Sequence, residues 1–240
     1  MKSKLLIILM TGLFLLPLAP AYGFIGFGLT VLQEMAAVDA YSESSTSGLS
    51  TAMLTRDAFE NPAGVGGYLY LDFLPFIDLE ADFQVALGTY KFNFSTLLSG
   101  TEIASTPDDA EFAYARGSAY ITVRKKLIGV GVPILGGIKL HAGGGLNFHS
   151  TAPYMSIAMM EELLGDDMYA SFDGAEMEEK IIAYVEDNME NQTGIHFQAG
   201  IQLKLLILDA FVNYRYTIAK DVYAGQDGFG ALNIRLGLGF

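Results

Sequence analysis

Side chains alternate with a period of two in eight separate segments of this chain, and no other feature limits the fold as much. Over 194–204, Ile195, Phe197, Ala199, Ile201 and Leu203 oppose His196, Gln198, Gly200, Gln202 and Lys204. Over 136–150, Ile138, Leu140, Ala142, Leu146 and Phe148 oppose Lys139, His141, Gly143, Gly145, Asn147 and His149. Over 208–218 and 232–240, Ala210, Val212, Tyr214, Tyr216, Ile218, Leu232, Ile234, Leu236, Leu238 and Phe240 form the apolar face. The stretches 23–33, 66–75, 77–92 and 114–125 follow the same rule less cleanly. Successive side chains of a strand point to opposite faces, so each segment reads as a strand with one apolar and one polar face.

Connections between these strands alternate in kind. Short ones carry Pro75, Pro133 and the 205–207 stretch. Long polar ones span about 39–62, 95–111, 151–193 and 220–228, all on the same end. Eight antiparallel strands with this alternation close into an up-and-down barrel, which leaves no unpaired edge. The chain has no Cys, so closure rests on packing and hydrogen bonds alone.

Period two does not say which face is outside. A soluble lipocalin-like barrel turns its apolar face inward around a ligand; a membrane barrel turns it toward lipid. Three features favour lipid. Loops are long at one end and short at the other, and Phe148 and Tyr216 sit toward the long-loop end of the apolar face while Phe73 and Phe240 sit toward the other. The opposite face carries Asp72, Asp78, Glu80, Asp82 and Asp209 beside Arg116, Arg124, Lys139, Lys204, Arg215 and Arg235, five acids against six bases. Eight strands leave an interior that side chains can fill, so these charges are expected to pair into a network that plugs the lumen.

The first residues carry a targeting pattern. Lys2 and Lys4 precede an apolar run over 5–18, and Ala21 and Gly23 flank Tyr22. That is the form of a secretory signal peptide over 1–23, leaving 24–240 as one barrel domain. Net charge is −13 at pH 7, which excludes phosphate backbones and hence nucleic acid as a partner.

The ending resembles the C-terminal assembly signal of bacterial outer-membrane proteins, in which a terminal aromatic follows apolar residues at alternate positions. Leu236, Leu238 and Phe240 occupy those positions. Over its strands the chain resembles the small eight-stranded barrels of the OmpX, OmpW and OmpA membrane-domain types. That resemblance implies an all-β, eight-stranded antiparallel transmembrane barrel in the bacterial outer membrane. It further implies outer-membrane lipid around the barrel and contact with the barrel-assembly machinery during biogenesis.

The third long connection departs from strand spacing. From about 153 to 191 it reads as a helical insertion of two short helices separated near 165–174. Met177, Ile181, Val185 and Met189 recur every four residues as an apolar stripe, which packs on the other loops as a cap or offers an adaptable binding surface.

His141, His149 and His196 all face inward. Lipid A deacylases, also small barrels, use His and Ser two residues apart on one face. Here His149 and Ser150 are neighbours and point opposite ways, so lumen histidines that hydrogen-bond locally are expected and no catalytic residue is assigned. No metal or cofactor site is expected. The leading functional expectation is a non-enzymatic platform whose acidic external loops contact a partner or surface. The alternatives are a narrow conduit for small apolar molecules and a lipid-modifying enzyme.

Overall fold

The computed structural model describes residues 25–72, 77–106, 110–132, 135–164 and 174–240. The leader expected over 1–23, Phe73, Pro75 and Pro133 lie outside the described residues. Eight strands form the barrel: β1 (Ile25–Met35), β6 (Ala63–Leu71), β7 (Asp78–Leu98), β9 (Glu111–Val132), β10 (Gly136–Thr151), β11 (Glu190–Leu205), β12 (Leu208–Ile218) and β13 (Gly228–Gly239). Each pairs antiparallel with its sequence neighbour, and β13 pairs with β1 to close the ring.

Following partners around the ring from Gly239 through Gly26, Tyr70, Glu80, Thr122, Gly145, His196 and Thr217 returns to β13 at Phe229. The offset is ten residues (239 minus 229). A stagger of that kind tilts the strands and leaves an interior of side-chain width. Phe240 is the last rung: its N–H donates to the Ile25 carbonyl at 2.8 Å, and the Ile25 N–H donates back at 3.2 Å. The Phe240 ring stacks on Phe27 with centroids 6.3 Å apart.

The long-loop end is far more structured than a set of polar loops. The 39–62 connection, expected as loop, contains β3 (Tyr41–Ser47), β4 (Ser50–Arg56) and β5 (Phe59–Glu60), and just before it β2 (Ala37–Val38) pairs with β5. The 95–111 connection contains the end of β7 and β8 (Thr101–Ser105). β4 pairs with the upper part of β7, Ser50 opposite Leu98 and Arg56 opposite Phe92, so a four-stranded sheet β3-β4-β7-β8 rises above the barrel. The β3 sequence YSESSTS has no apolar alternation to mark it, and tertiary pairing alone makes it a strand.

The third connection forms α1 (Ile157–Leu164) and α2 (Gly174–Asp187). Ser156 Oγ accepts the Met159 N–H at 3.2 Å, and Glu43 from β3 accepts the Ile157 N–H, satisfying two amide groups that an α1 start leaves orphaned.

The main hydrophobic core sits in this head at the long-loop end. Leu54, Phe59, Tyr90, Phe94, Tyr114, Met155, Met159, Met160, Val222 and Tyr223 belong to one buried cluster that fills the mouth of the barrel. Its helical contribution differs from the expected stripe. Ile157, Met159, Met160 and Leu163 of α1 are buried, whereas Met177, Ile181 and Val185 of α2 only lean on the cluster and Met189 is half-buried outside it.

Candidate functional site: an ionic lumen beneath an acidic head

Pleating sends the polar half of every barrel strand inward, and the structure places the charges in storeys. In the middle, Arg235 lies 2.9 Å from Glu80 and 2.9 Å from Asp82, Arg215 lies 2.7 Å from Asp82, and Arg124 lies 3.0 Å from Glu80 and 3.2 Å from Asp78. Gln198 ties the storey together, donating to Glu80 at 2.7 Å and accepting from Arg215 at 3.0 Å. Arg235 thus spans two carboxylates, one guanidinium nitrogen on each.

Aromatic rings occupy the space between these ions. Arg215 lies 3.9 Å from the Tyr120 ring centroid, Arg124 4.7 Å from that of Tyr70, and Arg235 5.3 Å from that of Tyr68. Tyr68, Tyr70 and Phe211 form a second, small buried cluster toward the short-turn end. There Tyr70 donates to Asp209, Gln202 donates to Asp209 at 2.8 Å, and Lys204 approaches Asp209 at 3.8 Å. Lys139 reaches Asp72 at 3.4 Å at the rim, where both side chains are partly exposed.

Arg116 stands apart from this group. Its partner is Glu34, which also accepts a hydrogen bond from Tyr223 of the head. Glu34 was missing from the sequence-derived face because buried Leu32 interrupts the polar positions of β1 between Thr30 and Glu34. Adding Glu34 to the five acids expected there gives six against six bases. Charge balance lets so many ions be buried together.

The histidines bond within the wall. His149 Nδ1 lies 2.9 Å from Ser118 Oγ and its Nε2 lies 3.0 Å from Asn147 Oδ1, while His196 Nε2 lies 2.9 Å from Thr122 Oγ1. His141 is 3.8 Å from Asp78. Ser118, His149 and Asn147 thus have the spacing of a nucleophile, a base and an orienting group, with an amide where an acid would stand. All three are buried, and His149 packs edge-on to Tyr120 and Phe229. Sequence spacing offered only Ser150 as a partner; Ser118 comes from the neighbouring strand by register.

The outward face is the reverse of the lumen. Leu29 is 75% exposed, Phe83 67% and Val65 63%, against 0% for Arg235 and 1% for Arg215. Greasy outside and ionic within cannot persist in water, where a contiguous apolar belt of this size would drive association. The chain folds as a transmembrane β-barrel. The lipocalin-like alternative, apolar face inward, is overturned by the position of these side chains.

No protein-family model and no curated protein matches the chain. Among solved structures, it is similar to the N-terminal β-barrel domain of Pseudomonas aeruginosa OprF at 9% identity, with a TM-score of 0.40, covering 90% of this chain and 99% of that one. It is similar to the outer membrane protein OprG of Pseudomonas aeruginosa at 9% identity and a TM-score of 0.41, covering 92% of this chain and 95% of that one. A third similar structure is Ail, the attachment invasion locus protein of Yersinia pestis, in complex with the heparin analogue sucrose octasulfate. It is 10% identical, with a TM-score of 0.38, and the match covers 90% of this chain and 99% of that one. The membrane assignment follows from the barrel's own surface.

The head above the barrel is acidic. Asp39, Asp57, Glu60, Glu102, Glu111, Glu161, Glu162, Glu178, Glu179, Glu186, Asp187, Glu190, Asp221 and Asp227 are exposed there, fourteen carboxylates, against three exposed lysines, Lys91, Lys180 and Lys220, among the described residues. Arg56, the other cation of the head, is buried with its guanidinium carbon 4.4 Å from the Tyr154 ring centroid and 5.7 Å from that of Tyr90.

Proposed function

We propose that this protein is a bacterial outer-membrane barrel that neither conducts nor catalyses and that holds a preformed acidic head outside the cell to contact a cationic partner. Continuity between lumen and head carries this reading. Glu34 of the barrel accepts from Tyr223 of the mouth cluster, and Tyr114 of β9 donates to the Val222 carbonyl at 2.9 Å. Head and barrel are thereby packed as one column, and the carboxylates above are held in place rather than trailing on flexible loops. Preorganised surfaces lose less conformational entropy on binding. Their sign selects the partner: like charges across an interface are rejected and opposite charges steer encounter.

A conduit for small apolar molecules would need a passage through both the mouth cluster and the ion-paired storey, whose members are buried. A lipid-modifying enzyme would need Ser118 and His149 to face substrate, and both lie inside the wall. The test uses a fluorescent lysine-rich peptide as probe and the barrel in lipid nanodiscs. Replacing Glu161, Glu162, Glu178, Glu179 and Glu186 by Gln is expected to weaken binding about fivefold or more at low salt, given roughly 0.2–1 kcal/mol per exposed charge. Equal binding by both forms, or discrete conductance steps from the wild-type barrel in a planar bilayer, would overturn the proposal.

A further inference from the structure

One edge of the sheet in the head is open. β3 ends that sheet, paired with β4 on one side and with no described strand on the other. The tight turn at Gly48 and Leu49 makes Ser47 and Ser50 the closing pair, and in an antiparallel ladder every second residue bonds across. Tyr41, Glu43, Ser45 and Ser47 therefore bond to β4, and Ser42, Ser44 and Thr46 turn three N–H and three C=O groups outward. None of those groups has a partner among the described residues. Sheets in water blunt such an edge with Lys, Pro, a bulge or a very short strand. β8, on the opposite side of the sheet, is five residues long and meets β7 through a register shift at Thr96 and Leu97. β3 runs seven residues in unbroken register, and YSESSTS contains neither Lys nor Pro. Its one charge, Glu43, faces α1, where it accepts the Ile157 N–H.

We infer that this edge takes an extended, basic segment of a partner polypeptide as an added antiparallel strand, an inference that rests on the cationic partner proposed above. The backbone fixes the conformation of the occupant, because a row of unpaired N–H and C=O groups is completed by another strand. The surroundings fix its charge. α1 packs on β3 and β4 and exposes Glu161 and Glu162, and Asp39 is exposed two residues before β3. Those carboxylates favour Lys and Arg on the segment. They also count against a second copy of this chain, since two heads joined edge to edge would bring fourteen exposed carboxylates against fourteen. Side chains alternate along a strand, so the basic residues belong at every second position, on the face shared with α1. Small or hydroxyl side chains between them lie beside Ser42, Ser44 and Thr46, all exposed on the other face.

Fluorescence anisotropy with the full barrel in lipid nanodiscs tests this, using two peptides in which Lys and Thr alternate over the length of β3. One is unmodified; the other is N-methylated on its Thr amides, the ones that alternation points at β3. Wild type is expected to bind the unmodified peptide about tenfold more tightly than the methylated one, a difference of ~1.4 kcal/mol. Ser44→Pro should lose the same factor for the unmodified peptide, because the ring removes an outward donor and stands on the free side while the bonds to β4 remain. Ser44→Ala keeps the backbone and should bind as wild type does. Resistance of the head to proteolysis verifies that the variants fold, and the methylated peptide tests wild type whatever the variants do. Equal affinity for the two peptides, or undiminished binding by Ser44→Pro, would overturn the inference while leaving the acidic head as a cation-binding surface if the five Glu-to-Gln changes still weaken binding. Failure of both peptides to bind wild type would overturn that reading as well. An intermolecular disulfide formed readily by Ser44→Cys would assign the edge to a second copy and overturn the inference too.

Discussion

Removing Arg235 should reveal how much of the barrel's stability its interior ions supply. Arg235 is fully buried and lies 2.9 Å from each of two carboxylates that are themselves buried. At an effective dielectric constant of ~20, each such pair is worth roughly 4 kcal/mol of attraction, and the desolvation of every ion offsets several kcal/mol. Deleting one partner removes the attraction and leaves the opposing charge uncompensated. Arg235→Met, close in length and apolar, is therefore expected to cost about 3–5 kcal/mol. A second substitution shows whether charge balance is the cause. Arg235→Met leaves Arg124 and Arg215 facing Asp78, Glu80 and Asp82; adding Glu80→Gln leaves two intact pairs, Arg124 with Asp78 at 3.2 Å and Arg215 with Asp82 at 2.7 Å. The double variant should lose less than the sum of the two single losses, by about 2 kcal/mol. The chain has no Trp, so unfolding by urea in lipid vesicles is followed by gel mobility and far-UV circular dichroism. A loss below about 1 kcal/mol for Arg235→Met, or strict additivity in the double variant, would refute the account of the lumen as a charge-balanced plug.

Three further outcomes follow from the head and the wall. Met159 is fully buried in the mouth cluster, and Met159→Ala should loosen the head by about 2–4 kcal/mol, read as faster proteolysis of the external segments while the barrel keeps its gel shift. Tyr90, outside the membrane, is pushed up to about 12 by burial, so its neutral form stabilises the head fully below pH 10 and that contribution drains away between about pH 10 and 12. The loss amounts to about 2–3 kcal/mol, and Tyr90→Phe should remove this part of the alkaline sensitivity in a tyrosinate absorbance titration against proteolysis. A Cβ at Gly145 would stand 1.8 Å from the Ile121 carbonyl oxygen, so Gly145→Val should abolish the folded gel band, and a normal band would show that β9 and β10 can part at low cost.

Local sequence carried the barrel strands because a half-buried strand must alternate, and alternation survives even with lipid in place of a core. Ile195 to Lys204 and Leu232 to Phe240 could be assigned to faces without knowing what they touch. The head was poorly legible for the opposite reason: β3 is polar on both faces and becomes a strand because β4, itself paired with β7, brings pairing groups to it. Glu34 was hidden by one apolar residue in a polar row, and Ser118 beside His149 by a register that no linear spacing encodes.

What the sequence determined by itself, then, was periodicity, the number of barrel strands and the placing of charges on one face, since pleating fixes these residue by residue. What only the tertiary structure decided was which charge meets which, and that α1 supplies the buried helix face of the mouth. Those depend on stagger and strand length around a closed ring, where partners far apart in the chain reach each other across the lumen from strands that are not neighbours, as Glu34 of β1 and Arg116 of β9 do.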